Sequence, residues 1–109
     1  MSITINLKNF ITPLDTCLVG KEDANIFIKK LEREGIDIVK EDVVTVIIPA
    51  QIVTINLSFF YQVFSEEVLN LGSVGFKSKY KFISESDFMN NRLDGLISNT
   101  QDKALRGGF

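Results

Sequence analysis

Apolar residues follow strand-like patterns in several parts of the chain. From Ser2 to Leu7 they alternate with polar residues, which is typical of a half-buried strand and predicts an edge strand. The run from Val43 to Ile48 is almost wholly apolar, so it predicts the central strand of the sheet, buried on both faces. Lys79 to Ile83 predicts a further strand, and a short one is predicted from Cys17 to Val19.

Two amphipathic helices are predicted between these strands. The first extends from Lys21 to Glu34, and Gly35 follows it as a helix stop. Its apolar stripe consists of Ala24, Phe27, Ile28 and Leu31. The second extends from about Ser58 to Leu71 and is ended by Gly72. Its apolar stripe consists of Phe60, Val63, Phe64, Val68 and Leu71, and the residues expected to face away are Gln62, Ser65, Glu66 and Glu67.

A third helix is predicted near the C-terminal end, capped by Ser84 or Ser86. Its apolar residues keep a helical spacing and are Met89, Leu93, Leu96 and Ile97. Residues 98–109 are mostly polar, so a flexible tail is expected there. Strands and helices thus alternate, which predicts one small α/β domain over residues 1–109. Because the first strand alternates, its second face is free for solvent, and we expect the helices mainly on one face of the sheet.

Composition and charge exclude several classes of function. The chain of 109 residues has a formal net charge of −2, so it lacks the strongly basic surface that nucleic-acid binding requires. It contains no histidine and one cysteine, which excludes an internal disulfide, a histidine-based catalytic triad and most transition-metal sites. The single cysteine, Cys17, is interpreted as a small buried apolar residue. We therefore expect no catalytic residue, no metal and no cofactor.

The charged and apolar runs are interpreted as ordinary surface and core. No apolar run approaches the ~20 residues of a membrane span, and the N-terminus lacks the basic and apolar regions of a signal peptide, so a cytoplasmic protein without membrane contact is expected. Paired acids such as Glu66 and Glu67 are interpreted as solvated helix faces, which argues against an enzyme. The basic cluster of Lys77, Lys79 and Lys81 is interpreted as a charged sheet edge.

Ser58 is the principal candidate for a functional residue, because it stands where the chain enters the second helix. Unpaired N–H groups at a helix start carry partial positive charge, so a hydroxyl, carboxylate or phosphate is well tolerated there. The alternative is that Ser58 is an N-cap or first-turn residue of an ordinary helix. Phe59, Phe60 and Phe64 are expected in the core, with the alternative that one ring is exposed for a partner.

Three motifs resemble the STAS-like family of unknown function, which is related in fold to bacterial anti-sigma factor antagonists. They are the first-helix start Gly20-Lys21-Glu22-Asp23-Ala24, the apolar strand Val43 to Ile48, and the pair Ser58-Phe59. The resemblance implies a small STAS-like domain with a mixed β-sheet, and a serine at Ser58 that a histidine-kinase-like ATPase phosphorylates. Such a phosphate brings about −1.5 to −2 charges, enough to break an apolar interface. Ile48, Asn56 and Gln62 stand where the family tends to have acids, which favours an interaction module that is not phosphorylated.

Two functions are consistent with these residues. The first is a regulatory module that binds a partner protein through the loop and helix at residues 49–64, either without phosphorylation or with phosphorylation of Ser58 as its regulation. The residues expected to contact the partner are Pro49, Gln51, Asn56, Leu57, Ser58, Phe59 and Gln62. The alternative is a phage- or plasmid-encoded inhibitor that binds and blocks a host enzyme or defence complex. A homodimer is also expected, through the exposed edge of the first strand or the apolar helix after Ser58.

Overall fold

The computed structural model describes residues 2–106, and within them the β-strands form two small sheets. The strands are β1 (Ser2–Asn6), β2 (Cys17–Leu18), β3 (Val43–Ile48), β4 (Thr54–Ile55) and β5 (Tyr80–Ser84). The helices are α1 (Gly20–Arg33), α2 (Leu57–Lys79) and α3 (Asp87–Leu105), with a short 3-10 turn at Leu7–Asn9. The main sheet has the order β1-β3-β5, and β2 pairs with β4 in the second sheet.

The α/β class predicted from the sequence is confirmed, with β1 at an edge and β3 at the centre of the main sheet. The predicted mixed sheet is wrong, because every strand pairing within residues 2–106 is parallel. The physical reason lies in the connections of the main sheet. A crossover helix, α1 or α2, returns the chain to the start of the next strand, so that each strand runs in the same direction as the last.

The main sheet is covered by helices on one face, as predicted. Along β3 the side chains of Val44, Val46 and Ile48 are buried, whereas those of Val43, Thr45 and Ile47 are only half-buried. The prediction that β3 is buried on both faces is therefore wrong. Crossover connections have one preferred hand, and the strand order follows the chain, so α1 and α2 are expected on the same side. The opposite face remains accessible to solvent.

Aromatic rings fill the space between the sheet and the helices. Phe59 lies between Phe27 and Phe60, with ring centroids 6.1 Å and 6.5 Å away. Phe64 lies 5.3 Å from the ring of Tyr80 on β5. Phe59, Phe60 and Phe64 are all buried, so the alternative that one of these rings is exposed for a partner is wrong. Their helical spacing on α2 directs all three into the core.

The two predicted helix stops adopt the expected backbone, and each interrupts the helix at the predicted residue. Gly35 has φ +72° and follows α1, as predicted. Gly72 also has φ +72° and breaks the helical geometry, yet the chain resumes a helix and continues to Lys79. This conformation favours glycine because it has no Cβ to clash with the backbone. The sequence pattern identified the break at Gly72 but not the helical segment after it.

The predicted flexible tail from residue 98 is wrong as far as the described residues extend. Helix α3 continues to Leu105, and Thr100, Gln101 and Ala104 are buried. Gln101 Nε2 donates a hydrogen bond of 3.1 Å to the backbone oxygen of Ser73, next to the kink of α2. The polar composition of this segment led to the wrong prediction, because its buried polar side chains form hydrogen bonds within the fold. Residues 107–109 of the predicted tail lie outside the described residues.

Candidate functional site

Ser58 is the second residue of α2, and its side chain takes part in the capping of that helix. Asn56 is the N-cap residue, and its Oδ1 accepts a hydrogen bond of 2.9 Å from the Ser58 backbone N–H. The Ser58 hydroxyl Oγ lies 3.0 Å from the same Asn56 oxygen and donates to it. Ser58 is thus a first-turn residue, one of the two structural roles expected from the sequence, and Asn56 is the cap.

The Ser58 hydroxyl also connects α2 to the beginning of α1. Gly20, the first residue of α1, donates its backbone N–H to Ser58 Oγ over 3.1 Å. The pairing of β2 with β4 brings the two helix starts together, since the Asn56 N–H donates to the Leu18 carbonyl over 2.8 Å. The positive ends of two helix dipoles therefore meet at one half-buried hydroxyl. Sequence reasoning identified Ser58 and Gly20 separately but not their contact.

The residues predicted to bind a partner do not form one continuous surface. Pro49 and Phe59 are buried and cannot contact a partner in this conformation. Gln51 holds the neighbouring loop, because its Nε2 donates to the carbonyls of Thr12 and Asp15 over 2.9 Å and 2.8 Å. Asn56 is exposed, and Leu57 and Ser58 are half-buried. Only this short segment remains accessible at the helix start.

Gln62 lies on a different feature, a groove of about 730 Å³ along the side of α2. We call it the α1–α2 groove. Its lining residues are Ile28, Leu31, Glu32, Gly35, Ile36, Asp37, Ile38, Val39, Gln62, Val63, Ser65 and Glu66. Helix α1 and the loop after it supply one wall, and α2 supplies the other. The groove itself was not predicted, although its α2 residues Gln62, Ser65 and Glu66 were expected to face away from the core.

A buried polar cluster lies behind the kink of α2, where the sequence predicted solvated charges. Glu67 Oε1 accepts hydrogen bonds from Lys79 Nζ at 2.6 Å and from the Tyr80 hydroxyl at 2.8 Å. Lys79 Nζ also donates to the Val39 carbonyl over 3.1 Å. Glu67 and Lys79 are buried, so the predictions of a solvated Glu67 and of a charged edge at Lys79 are wrong. One signal was available, because Glu67 stands seven residues after Phe60 and therefore on the apolar side of the helix.

Tyr80 is held in its neutral form by this cluster. Burial of the phenol disfavours the phenolate, and the hydrogen bond to Glu67 adds to this effect, so the pKa of Tyr80 is raised above its ordinary value. The hydroxyl can therefore serve as a permanent donor to the carboxylate at neutral pH. Glu67, Lys79 and Tyr80 form these hydrogen bonds with one another and with the Val39 carbonyl, which points to a structural role for the cluster.

Cys17 is exposed, which corrects the expectation of a small buried residue. It lies at the edge of a cavity of about 330 Å³ that also contains Asp15, Asp23 and Lys30. Lys30 Nζ is engaged with the Phe10 carbonyl at 2.7 Å, and Asp23 Oδ2 accepts from the Val19 N–H over 2.9 Å. Among residues 2–106, no three Cys, Asp or Glu side chains are arranged to hold a metal ion. Near Cys17, the side chains of Lys30 and Asp23 thus hold the local backbone through their hydrogen bonds.

None of the helices within the described residues is long and apolar enough to cross a membrane. Comparison with protein-family models, with curated proteins and with solved structures found no match to this chain. The resemblance to STAS-like domains thus remains a prediction from the sequence motifs. Two accessible features of the described residues can contact a partner, the segment around Ser58 and the α1–α2 groove.

Proposed function

We propose that this chain is a non-enzymatic, cytoplasmic protein-interaction module of the STAS-like type, whose partner contacts the surface around Ser58. We define the Ser58 surface as Val19, Asn56, Leu57 and Ser58. The observation that carries the proposal is the double hydrogen bond of Ser58 Oγ, to Gly20 of α1 and to Asn56 at the start of α2. A change at this one hydroxyl alters the contact between two helices.

Apolar exposure next to the serine supports a role in binding. Val19 precedes Gly20 and is 43% exposed, and Leu57 precedes Ser58 and is half-buried. An exposed valine and a half-buried leucine next to polar groups provide the mixture of apolar and polar side chains that protein contacts use. Pro49 and Phe59, the buried residues of the predicted surface, pack beneath the loop and the helix and do not contact the partner.

Phosphorylation of Ser58 is the proposed regulation of this surface. A phosphate on the second residue of α2 would be stabilised by the helix N-terminus, which favours negative charge. The esterified Oγ could no longer donate to Asn56 Oδ1, and the bulk of the phosphate would displace the Gly20 N–H from its present position. The carboxylates of Glu22 and Asp23 in the first turn of α1 would also repel the phosphate. The start of α1 would therefore separate from α2, and the apolar contact beside Leu57 would change.

The test is native co-purification of the tagged protein from its host, with Ser58 examined by mass spectrometry. The variants are Ser58→Asp and Leu57→Asp, and the matched control is Val74→Asp, which introduces the same charge at a residue that is 82% exposed on the distal part of α2. We expect the partner to be captured by the wild type and by Val74→Asp, and to be lost from the two surface variants. Thermal melting must show that all variants are folded.

A partner retained by both Ser58→Asp and Leu57→Asp would contradict the Ser58 surface. Recovery of the chain alone, as a stable homodimer, would contradict the proposal of a separate partner. A partner that binds only the form without phosphate on Ser58 would support the switch, whereas binding to both forms would leave the module without regulation at this residue.

A further inference from the structure

The α1–α2 groove combines an apolar floor with an acidic rim. Its floor is formed by branched aliphatic side chains from both helices and from the loop between α1 and β3, namely Ile28, Leu31, Ile36, Ile38 and Val63. Its volume of about 730 Å³ is in the range of clefts that take several side chains of a ligand. Because two helices and a loop line the groove, its occupant would contact all three elements.

The charges on the groove are of one sign. Its lining includes the carboxylates of Glu32, Asp37 and Glu66 and contains no lysine or arginine among the described residues. Glu32 and Glu66 are exposed and form no ion pair within residues 2–106. Asp37 is partly compensated, since its Oδ2 lies 4.0 Å from Lys40 Nζ. Two carboxylates on facing walls are therefore available to a cationic ligand.

The loop wall of the groove is fixed from behind by the buried cluster. Lys79 Nζ donates to the Val39 carbonyl over 3.1 Å and to Glu67 over 2.6 Å. Asp37 Oδ1 accepts the Val39 N–H over 3.1 Å, which closes the loop on itself. Side chains thus hold both the N–H and the carbonyl of Val39, and the Ile36 N–H donates to the Leu31 carbonyl over 2.9 Å. The groove is therefore a preformed feature whose occupation needs little ordering.

We propose that the α1–α2 groove binds an amphipathic, basic α-helix of a partner protein. Leucine-like side chains of that helix would enter the apolar floor, and its lysine or arginine side chains would lie against Glu32 and Glu66. This is the helix-in-groove mode of recognition, with charge complementarity fixing the sign of the ligand. The inference rests on the proposed function only in that the partner is a protein, because the groove and the Ser58 surface are tested by different variants.

The experiment measures binding of a fluorescent synthetic helix that carries leucine on one face and lysine on the other. The protein variant is the pair Glu32→Gln and Glu66→Gln. The matched control is the pair Glu34→Gln and Asp94→Asn, which removes the same charge at exposed positions outside the groove. A peptide with glutamate in place of lysine serves as the control ligand. Fluorescence anisotropy gives the affinities, and NMR shifts of the Ile and Val methyl groups locate the peptide.

We expect the lysine peptide to shift the methyl groups of Ile28, Ile36 and Val63. The groove variant should bind it about tenfold more weakly, about threefold for each lost ion pair, and the control variant should bind it as the wild type does. Binding to the wild type should also weaken with added salt, and the glutamate peptide should not bind.

Other outcomes would overturn the inference. Equal losses in the groove and control variants would mean that only the net charge matters. Absence of binding, or shifts away from the groove, would exclude this ligand. Groove shifts that change on dilution of the protein alone would assign the groove to a second copy of the chain. Loss of partner capture with Leu57→Asp, combined with no peptide binding here, would retain the proposed function and reject this inference.

Discussion

The buried pair of Lys79 and Glu67 makes the strongest quantitative prediction of this structure. Their charged atoms are 2.6 Å apart, and the side chains are only 10% and 6% exposed. Lys79→Met keeps the length of the side chain but removes both of its hydrogen bonds, to Glu67 and to the Val39 carbonyl. Glu67 is then left as a buried carboxylate with the Tyr80 hydroxyl as its remaining donor.

The cost of this change follows from the desolvation of the remaining charge. Removal of one partner of a buried ion pair typically costs about 3–5 kcal/mol, because the other charge loses its compensation. A domain of this size has a free energy of unfolding of about 5–15 kcal/mol, so Lys79→Met is expected to remove a large part of it. Glu67→Leu should cost a similar amount by leaving the ammonium group without its carboxylate.

The double variant of Lys79→Met with Glu67→Leu is expected to be more stable than the sum of the single changes suggests. Both charges are gone, and the main remaining cost is the buried Tyr80 hydroxyl without its partner, about 1–3 kcal/mol. The two single changes together should cost about 6–10 kcal/mol. The double-mutant cycle should therefore give a coupling energy of at least about 3 kcal/mol. Urea denaturation of the four proteins measures it.

The matched control is Lys40→Met, because Lys40 forms an exposed ion pair with Asp37 at 4.0 Å, with side chains 83% and 52% exposed. It should cost less than about 0.5 kcal/mol. The reasoning is refuted if Lys79→Met costs no more than Lys40→Met. It is also refuted if the loss of stability in the double variant equals the sum of the losses in the two single variants. Independent effects would mean that the two charges do not compensate each other.

Three further predictions concern Tyr80, two glycines and the C-terminal helix. Because the pKa of Tyr80 is raised in the folded state, the unfolded chain loses the phenol proton at a lower pH than the folded chain does. Above pH ~10 the free energy of unfolding should therefore fall by up to about 1.4 kcal/mol per pH unit, and urea titrations of Tyr80→Phe should show a smaller slope. Gly35→Ala should cost about 1 kcal/mol because φ is +72° at this residue, whereas Gly95→Ala should stabilise by about 0.5–1 kcal/mol, since it lies inside α3 with open space around a new Cβ. Urea midpoints that shift in the same direction for both variants would contradict this prediction. Truncation after residue 97 should cost about 2–4 kcal/mol because it removes buried Thr100, Gln101 and Ala104, and an unchanged midpoint would mean that the last turns of α3 do not stabilise the fold.

Local patterns in the sequence were sufficient for most of the elements. Alternation and apolar runs identified β1, β3 and β5, and the glycines at 35 and 72 were recognised as helix breaks. The helical segment after Gly72 and the last turns of α3 were missed, because contacts across the fold help to hold them in place. Gln101 with Ser73 is such a contact.

The candidate site was predicted in part. Ser58 was singled out from its place before an aromatic helix, and it does lie at a helix start. Its hydrogen bond to Gly20 joins residues 38 positions apart and depends on the β2–β4 pairing, which two-residue strands do not reveal in a sequence. Glu67 and Lys79 were both assigned to solvent. The helical position of Glu67 was a local signal of its burial, but no local pattern shows that Lys79 is its partner.

The sequence by itself determined the α/β class, the order of the main elements and the aromatic core. Hydrophobic periodicity is a local property of the sequence and does not depend on how the elements pack together. The tertiary structure alone decided that the sheets are parallel, that one face of β3 stays open, and which charges are compensated by burial in pairs. These features depend on the handedness of the crossovers and on contacts between distant residues. The α1–α2 groove belongs to the second group, since its two walls meet only after the helices have packed.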